Sequence, residues 1–193
     1  MKVSILNNSI SNIASVEASF KRLGCQVTYI NNYLDILETD KLVLPGVGTF
    51  KAGMEALERK NFDKAIKERI SKNRSTLGIC LGMQLLFSSS DESPGVVGLE
   101  IFPEKVEKFS SEVRSPHFGW NQVLDDSISD YAYFANSYRV TKTLESENIL
   151  WCDYGGKFVA GLKKGNLTAY QFHPEISGKF GEKLIKNWIE EIC

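Results

Sequence analysis

The sequence predicts an α/β fold, in which helices flank a central, mostly parallel sheet and an antiparallel strand region is added. In the first half of the chain, short apolar runs of strand length alternate with amphipathic segments of helical period. From about residue 95 to 170, shorter runs are separated by Gly, Asp and Asn pairs, which is typical of antiparallel strands and turns. We expect one domain over residues 1–193, since 193 residues build one sizeable core and are few for two.

Four β-branched or apolar runs predict parallel strands: Lys2–Leu6, Gln26–Ile30, Lys41–Leu44 and Ser75–Ile79. Segments with an apolar stripe predict helices between them: Ile13–Leu23, Lys51–Arg59 and Phe62–Ile70. A closing helix is predicted from apolar residues at helical spacing: Phe180, Leu184, Ile185, Trp188, Ile189 and Ile192. Right-handed crossovers between parallel strands put such helices on both faces of a buried sheet.

Composition narrows the class of protein. The 23 basic and 24 acidic residues nearly cancel, which predicts no general attraction to nucleic acid or to an anionic membrane. No apolar run approaches the length of a membrane span, and we expect no signal peptide at the N-terminus. Neither a metal-ligand cluster nor a phosphate loop is evident, so we expect no metal and no cofactor. Four widely spaced cysteines without a C-x-x-C pair favour a reducing cytosol: Cys25, Cys80, Cys152 and Cys193.

Cys80 lies between two glycines where a predicted strand meets a predicted helix, Leu81–Phe87. The stretch from Gly78 to Gly82, "GICLG", has the G-x-nucleophile-x-G form of a nucleophile elbow, a strained turn that exposes the reactive side chain above the sheet edge. A helix N-terminus there favours the thiolate, which is the reactive form. Cysteine is also among the most buried residue types, so this pentapeptide alone leaves an ordinary core cysteine equally open.

A thiolate nucleophile needs a base, and the chain has only two histidines. His173 follows an apolar run in "AYQFHPEIS", which we interpret as a strand that ends in His-Pro-Glu. Side chains two residues apart share a face of an extended chain, so Glu175 can orient His173 while His173 faces the nucleophile. The sequence therefore predicts a catalytic triad in which Cys80 is the nucleophile, His173 the general acid and base, and Glu175 the group that fixes the imidazole.

The elbow "GICLGMQLL" and the segment "YQFHPEIS" resemble the class I, or triad, glutamine amidotransferases, which hydrolyse the side-chain amide of glutamine and pass ammonia to a synthase. Four further segments resemble the glutaminase subunits of imidazole glycerol phosphate synthases within that family: "LPGVGTF", "SPHFGWNQV", "YFANSYRV" and "HPEISGKFGEKLIKNWI". The resemblance spans essentially the whole chain. It implies a flavodoxin-like sheet, L-glutamine as the substrate and a heterodimer with a TIM-barrel cyclase in histidine biosynthesis.

The resemblance also assigns an oxyanion hole. Backbone amides near Gly46, Val47 and Gly48 would form one half, and the amide of Leu81 would form the other. The physical reason is that two glycines at the end of a strand let a backbone N–H turn toward the sulfur. From the residues alone, "PGVG" is more often an ordinary β-turn.

Two further groups of residues follow from the same resemblance. Gln84, Ser137 and Tyr138 would bind glutamine, although Gln84 alone could be a solvated helix residue. His117, Trp120 and Asn121 would lie at the partner interface; a lone His between Pro and aromatic residues is otherwise more often structural. Members of the family usually carry His before the Ser-Tyr pair, whereas this chain has Asn136, which leaves substrate contacts and partner coupling open.

Three alternatives remain at this point. The first is a paralogous glutaminase that feeds ammonia to a sugar amidotransferase in nucleotide-sugar or surface-glycan synthesis. The second is a non-catalytic scaffold on the same fold. The third is a cysteine hydrolase that cleaves esters or peptides without any partner.

Overall fold

The computed structural model describes residues 1–7, 13–142 and 148–191. Its strands are β1 (Lys2–Leu6), β2 (Gln26–Ile30), β3 (Leu42–Leu44), β4 (Thr76–Ile79), β5 (Phe87–Ser90), β6 (Phe102–Lys108), β7 (His117–Leu124), β8 (Ser129–Asn136), β9 (Tyr138–Arg139), β10 (Asn148–Asp153), β11 (Lys157–Lys164) and β12 (Leu167–Tyr170). Its helices are α1 (Ile13–Arg22), α2 (Tyr33–Glu38), α3 (Phe50–Glu58), α4 (Phe62–Ser71), α5 (Leu81–Gln84) and α6 (Gly178–Glu190).

The main sheet has nine strands in the order β2-β1-β3-β4-β12-β11-β10-β7-β8. The five strands from β2 to β12 are parallel, and the next four are antiparallel. Strand β12 joins the two halves, since it pairs in parallel with β4 and antiparallel with β11. A separate small sheet has the order β5-β6-β9. The predicted parallel sheet with an antiparallel addition is confirmed.

Each face of the main sheet has its own apolar core. On one face, helices α2 to α5 pack on the strands, with Phe50 and Phe62 among the fully buried side chains. On the other face lie α1 and α6, where Phe20 meets Trp188 edge-on at 5.9 Å between ring centroids. The α6 stripe is buried as predicted from Phe180 to Ile189, while Ile192 and Cys193 lie outside the described residues. Among the described residues, no helix is long and apolar enough to cross a membrane.

Two predicted elements end earlier than expected. The helix after Cys80 stops at Gln84 because the next carbonyls bond elsewhere: Leu85 O accepts from Leu99 N, and Leu86 O accepts from Ile101 N, both at 2.8 Å. These contacts lead directly into β5. The strand predicted through His173 ends at Tyr170. Helix α2 was not predicted, since its six residues are too few for a clear period.

Arg69 joins three elements at the end of the sheet opposite the elbow. Its side chain is fully buried, and Nε donates to Thr76 Oγ1 at 3.2 Å. Its guanidinium also donates to four backbone carbonyls at 2.7 to 3.0 Å: Ile36, Thr39, Asp40 and Ser75. One side chain of α4 therefore caps the end of α2 and ties the chain that enters β3 to the chain that enters β4.

We expect Arg69→Met to lower the free energy of unfolding by about 3 kcal/mol, because the change leaves several buried carbonyls without a donor. Urea denaturation measures this loss. Arg22→Met, at an exposed position on α1, is the matched control and should stay within about 0.5 kcal/mol. Equal and small losses in both variants would contradict a capping role for Arg69.

Candidate active site

Cys80 occupies a strained turn between β4 and α5. Its backbone has φ 53° and ψ −109°, a conformation that residues with a side chain rarely adopt. Two sets of backbone bonds hold it there. Cys80 N donates to Tyr170 O at 2.8 Å, and Cys80 O accepts from Met83 N at 3.0 Å and from Gln84 N at 3.2 Å. The elbow geometry predicted for Cys80 is therefore present, although the dipole of a four-residue helix is weaker than the sequence suggested.

Glycines on both sides of the elbow allow two backbones to touch. A Cβ on Gly82 would lie 1.9 Å from Leu44 O, and a Cβ on Gly46 would lie 2.6 Å from Leu81 Cβ. Any side chain at either position would collide with its neighbour. The end of β3 thus lies directly against the first turn of α5, and this contact brings the Gly46–Gly48 loop beside Cys80.

His173 and Glu175 lie in contact, with His173 Nδ1 and Glu175 Oε1 2.8 Å apart. The prediction relied on an extended chain, whereas a 3₁₀ turn over Pro174–Ile176 brings the two side chains together. His173 is held from outside the turn as well. Its N–H donates to Tyr133 O at 2.9 Å, and its carbonyl accepts from Ser177 Oγ at 2.6 Å.

The imidazole of His173 also lies beside Cys80, and the two residues line one cavity. Burial alone would lower the pKa of His173, but the hydrogen bonds and charges of Cys80 and Glu175 outweigh it and raise that pKa to about 10. His173 is therefore protonated at neutral pH. Burial raises the pKa of Cys152 to about 12 and also raises that of Cys25, so the thiols of these two cysteines stay protonated at neutral pH.

A cavity of about 190 Å³ lies in front of Cys80. This volume is below the range of about 300–1,000 Å³ that is typical of sites for drug-sized ligands. The cavity is lined by most of the predicted site residues: Val47, Gly48, Cys80, Leu81, Gln84, Ser137, Tyr138 and His173. Gly46 and Glu175 instead line a second cavity of about 230 Å³, which shares Val47, Ala135 and His173 with the first. His173 thus stands between two cavities.

Gln84 is buried rather than solvated, with an exposed fraction of 6%. Its Nε2 donates to Gln171 Oε1 at 2.9 Å and to Tyr138 O at 3.3 Å. Gln171 was missed in the sequence, although it lies two residues before His173 and the spacing used for Glu175 would have singled it out. Glu92 also lines the first cavity; it follows Asp91 in a loop between two strands, where no local pattern marks it as a site residue.

Asn136 lines the same cavity and is 5% exposed. Its Nδ2 donates to Tyr138 O at 2.9 Å, so this carbonyl accepts from both Asn136 and Gln84. Its Oδ1 is buried and has no hydrogen-bond partner among the described residues. The residue that departs from the family pattern is therefore part of the wall of the cavity and contacts the backbone of a predicted substrate-binding residue.

The predicted interface residues separate in the structure. His117 is in the core, 3% exposed, with its ring stacked at 3.9 Å on Tyr154 and at 4.8 Å on Phe134. Burial lowers its pKa to about 4. Because β7 alternates its side chains, His117 faces inward whereas Trp120 is 56% exposed. Asn121 is half-buried and donates to Asp153 O at 3.1 Å. His117 therefore cannot contact a partner directly, which corrects the expectation for this residue.

We expect opposite titrations for the two histidines. His117 should stay neutral down to about pH 4, while His173 should stay protonated up to about pH 10. In Cys80→Ala the midpoint of His173 should fall, because burial remains and the interactions with Cys80 that raise its pKa are gone. Side-chain NMR of the two imidazoles measures both midpoints. Two midpoints near the ordinary 6.5 would contradict the described pairing.

Comparison with known proteins gives consistent results. Over residues 4–192 the chain matches the family described as glutamine amidotransferase class-I. It is 37% identical to imidazole glycerol phosphate synthase subunit HisH of Carboxydothermus hydrogenoformans, over 95% of this chain and 96% of that one. It is 39% identical to subunit HisH of Chlorobaculum tepidum, over 97% and 99%. It is 36% identical to the chloroplastic imidazole glycerol phosphate synthase hisHF of Arabidopsis thaliana, over 97% of this chain and 34% of that protein.

Solved structures are similar in fold. The crystal structure of a glutamine amidotransferase superimposes with a TM-score of 0.80 at 17% identity, over 97% of both chains. The structure of PurLQS from Thermotoga maritima gives a TM-score of 0.72 at 16% identity, also over 97% of both chains. The family match covers residues 4–192, and the relatives match nearly the whole chain. Both findings are consistent with the elbow at Cys80 and with the position of His173 beside it. This chain belongs to the class-I glutamine amidotransferase family.

Proposed function

We propose that this chain is the glutaminase subunit of an imidazole glycerol phosphate synthase, in which it hydrolyses glutamine to glutamate and ammonia. The observation that carries the glutaminase activity is the contact of Cys80 and Glu175 with the two sides of the His173 imidazole, beside a cavity of amino-acid size. The synthase assignment rests on relatives named as HisH that match over nearly their whole length.

In the first half-reaction, the Cys80 thiolate attacks the carbon of the side-chain amide and a carbon–sulfur bond forms. The negative charge moves to the amide oxygen, toward the N–H of Leu81 and the amides of Val47 and Gly48. The first amides of a helix have no partner inside the helix, which leaves Leu81 N–H free to take this role. When the carbon–nitrogen bond breaks, the His173 imidazolium gives its proton to the leaving nitrogen, and ammonia departs.

In the second half-reaction, a glutamyl thioester remains on Cys80 and His173 is neutral. His173 takes a proton from water, and the resulting hydroxide attacks the thioester carbon. The carbon–sulfur bond breaks, glutamate leaves, and the Cys80 thiolate is restored beside the His173 imidazolium. Glu175 keeps its carboxylate against Nδ1 throughout, so that Nε2 faces the reacting atoms.

The α-ammonium and α-carboxylate groups of the glutamine substrate need binding partners in the cavity. Glu92 supplies a carboxylate at the wall of the cavity, where it can accept hydrogen bonds from the α-ammonium group. The Ser137–Tyr138 segment and Gln84 line the remaining wall and would bind the carboxylate and the chain of the substrate. With Glu92 on one side and the elbow on the other, the substrate has one orientation.

Ammonia must leave without meeting bulk water, where it would be protonated and lose its nucleophilicity. The second cavity lies beyond His173 and is the proposed route toward a cyclase partner, which would form a heterodimer with this chain. The exposed face of β7 around Trp120 is the proposed docking surface. A partner is supported by the relative named hisHF, of which this chain spans 34%. A cytosolic setting remains a prediction.

A second candidate is a glutaminase of the same kind that supplies a sugar amidotransferase. Asn136 favours it, since this residue replaces the usual His of the family and lines the glutamine cavity. The two candidates share the chemistry and differ in the partner. Stimulation of glutamine hydrolysis by a histidine-pathway cyclase with its nucleotide ligand would decide for the synthase.

We expect Cys80→Ala to lower the rate of glutamate release by at least about 1,000-fold, because the covalent step has no other nucleophile. The assay couples glutamate release to a dehydrogenase, with and without the cyclase and its ligand. Cys25→Ala is the matched control, since Cys25 is 7% exposed and Cys80 is 8% exposed. If no candidate cyclase stimulates glutamine hydrolysis by the wild-type chain, the synthase proposal is wrong.

We expect Glu92→Gln to raise the KM for glutamine about tenfold with a smaller change in kcat, because a charge-assisted hydrogen bond to the ammonium group is lost. Gln retains an oxygen for the bond that Glu92 Oε2 accepts from Phe50 N at 2.6 Å, so α3 keeps its cap. Glu112→Gln, at an exposed position, is the control. An unchanged KM would show that Glu92 does not meet the substrate.

A further inference from the structure

Gln171 is a buried polar residue to which the proposed mechanism gives no role. It lies one residue beyond the end of β12 and is 1% exposed. Its N–H donates to Ala160 O at 2.8 Å, which continues the pairing with β11. Its side chain reaches Gln84 on one side and Cys80 on the other, with Nε2 3.8 Å from Cys80 Sγ. Packing alone does not require a buried amide at this position, so its contact with Cys80 Sγ indicates a further role for Gln171.

The orientation of this amide follows from its neighbours. Tyr138 O is a carbonyl and can only accept, so the amide nitrogen of Gln84 must face it. The same nitrogen lies 2.9 Å from the side chain of Gln171, which must therefore present its oxygen. The nitrogen of Gln171 is left facing the sulfur. The backbone of Tyr138 thus fixes, through two amides, a hydrogen-bond donor at Cys80.

We propose that Gln171 is a further catalytic residue, which donates a hydrogen bond to Cys80 Sγ and stabilises the thiolate. A thiolate accepts hydrogen bonds better than a thiol, so the donor favours the charged form. The bond is useful twice in the cycle. It holds the thiolate before attack, and it stabilises the same thiolate when it leaves the thioester in the second half-reaction. This role rests on the proposed function of Cys80 as the nucleophile.

The test measures the thiolate without glutamine. Iodoacetamide alkylates Cys80 of the full-length chain across a range of pH, and peptide mass spectrometry separates this adduct from those of the other cysteines. In Gln171→Met, which keeps the length of the side chain and removes its donor, we expect the midpoint of the pH dependence to rise by about one unit. At pH values below the midpoint the rate of alkylation should fall about tenfold. The NMR midpoint of His173 should fall in parallel, because less thiolate faces it.

Thr168→Val is the matched control, since Thr168 is 5% exposed, lies in β12 three residues before Gln171 and lines neither active-site cavity. Its alkylation profile should stay unchanged. If Gln171→Met does not fold, Gln84→Met keeps the Gln171 amide and removes the partner that orients it. We expect a smaller rise of the midpoint in that variant.

The outcomes separate the two proposals. An unchanged alkylation profile in a folded Gln171→Met chain would overturn the role of Gln171, even if glutaminase activity fell, because the residue would then act only through packing. A shifted profile in a chain that hydrolyses no glutamine with any cyclase would overturn the proposed function and leave the contact between Gln171 and the thiolate established.

Discussion

The close contact between the end of β3 and the first turn of α5 is the constraint on which the site depends. Leu44 O occupies the space where a side chain of Gly82 would lie, and Leu81 occupies the space beside Gly46. This contact sets the distance between the Gly46–Gly48 loop and the Cys80 elbow. It also shows why an α/β sheet suits the chemistry, since parallel strands deliver several chain ends to one edge. The strained backbone of Cys80 persists because Tyr170 at the end of β12 and the first turn of α5 hold it.

The antiparallel half of the sheet holds His173, the proposed catalytic base. His173 follows β12, but its N–H and carbonyl are fixed through Tyr133 and Ser177, which tie it to the edge strand β8. Tyr133 lies opposite Trp120 in register, and the two rings meet edge-on at 6.0 Å. The exposed Trp120 and the backbone of His173 therefore both contact Tyr133 of β8. The hydrogen bonds of Tyr133 with His173 N–H and with Ser177 Oγ are therefore a short physical path from the surface to the imidazole.

The sequence predicted what depends on periodicity and on local turn chemistry. The parallel strands, the stripe of α6 and the junction at Cys80 all follow from patterns within about ten residues. Longer-range contacts were not accessible in the same way. The helix after Cys80 ends early because carbonyls of Leu85 and Leu86 bond to residues 99 and 101, and no local pattern announces that. His117 could be assigned to the core only once Phe134 and Tyr154 were known to stack on it, since a single histidine between aromatic residues fits either side of a strand.

Buried polar groups cluster around the reacting atoms, and their energetic cost explains the layout of the fold. The cluster includes two buried atoms without a partner among the described residues, Asn136 Oδ1 and Glu175 Oε2, and each such atom costs about 1–3 kcal/mol. The strained turn at Cys80 adds a similar amount. Two apolar cores, one on each face of the sheet, offset these costs, and both cores extend well away from the site. The two apolar cores supply the stability, so the fold tolerates polar side chains beside Cys80. Gln84 and Gln171 lie there, where a purely structural core would have two apolar residues.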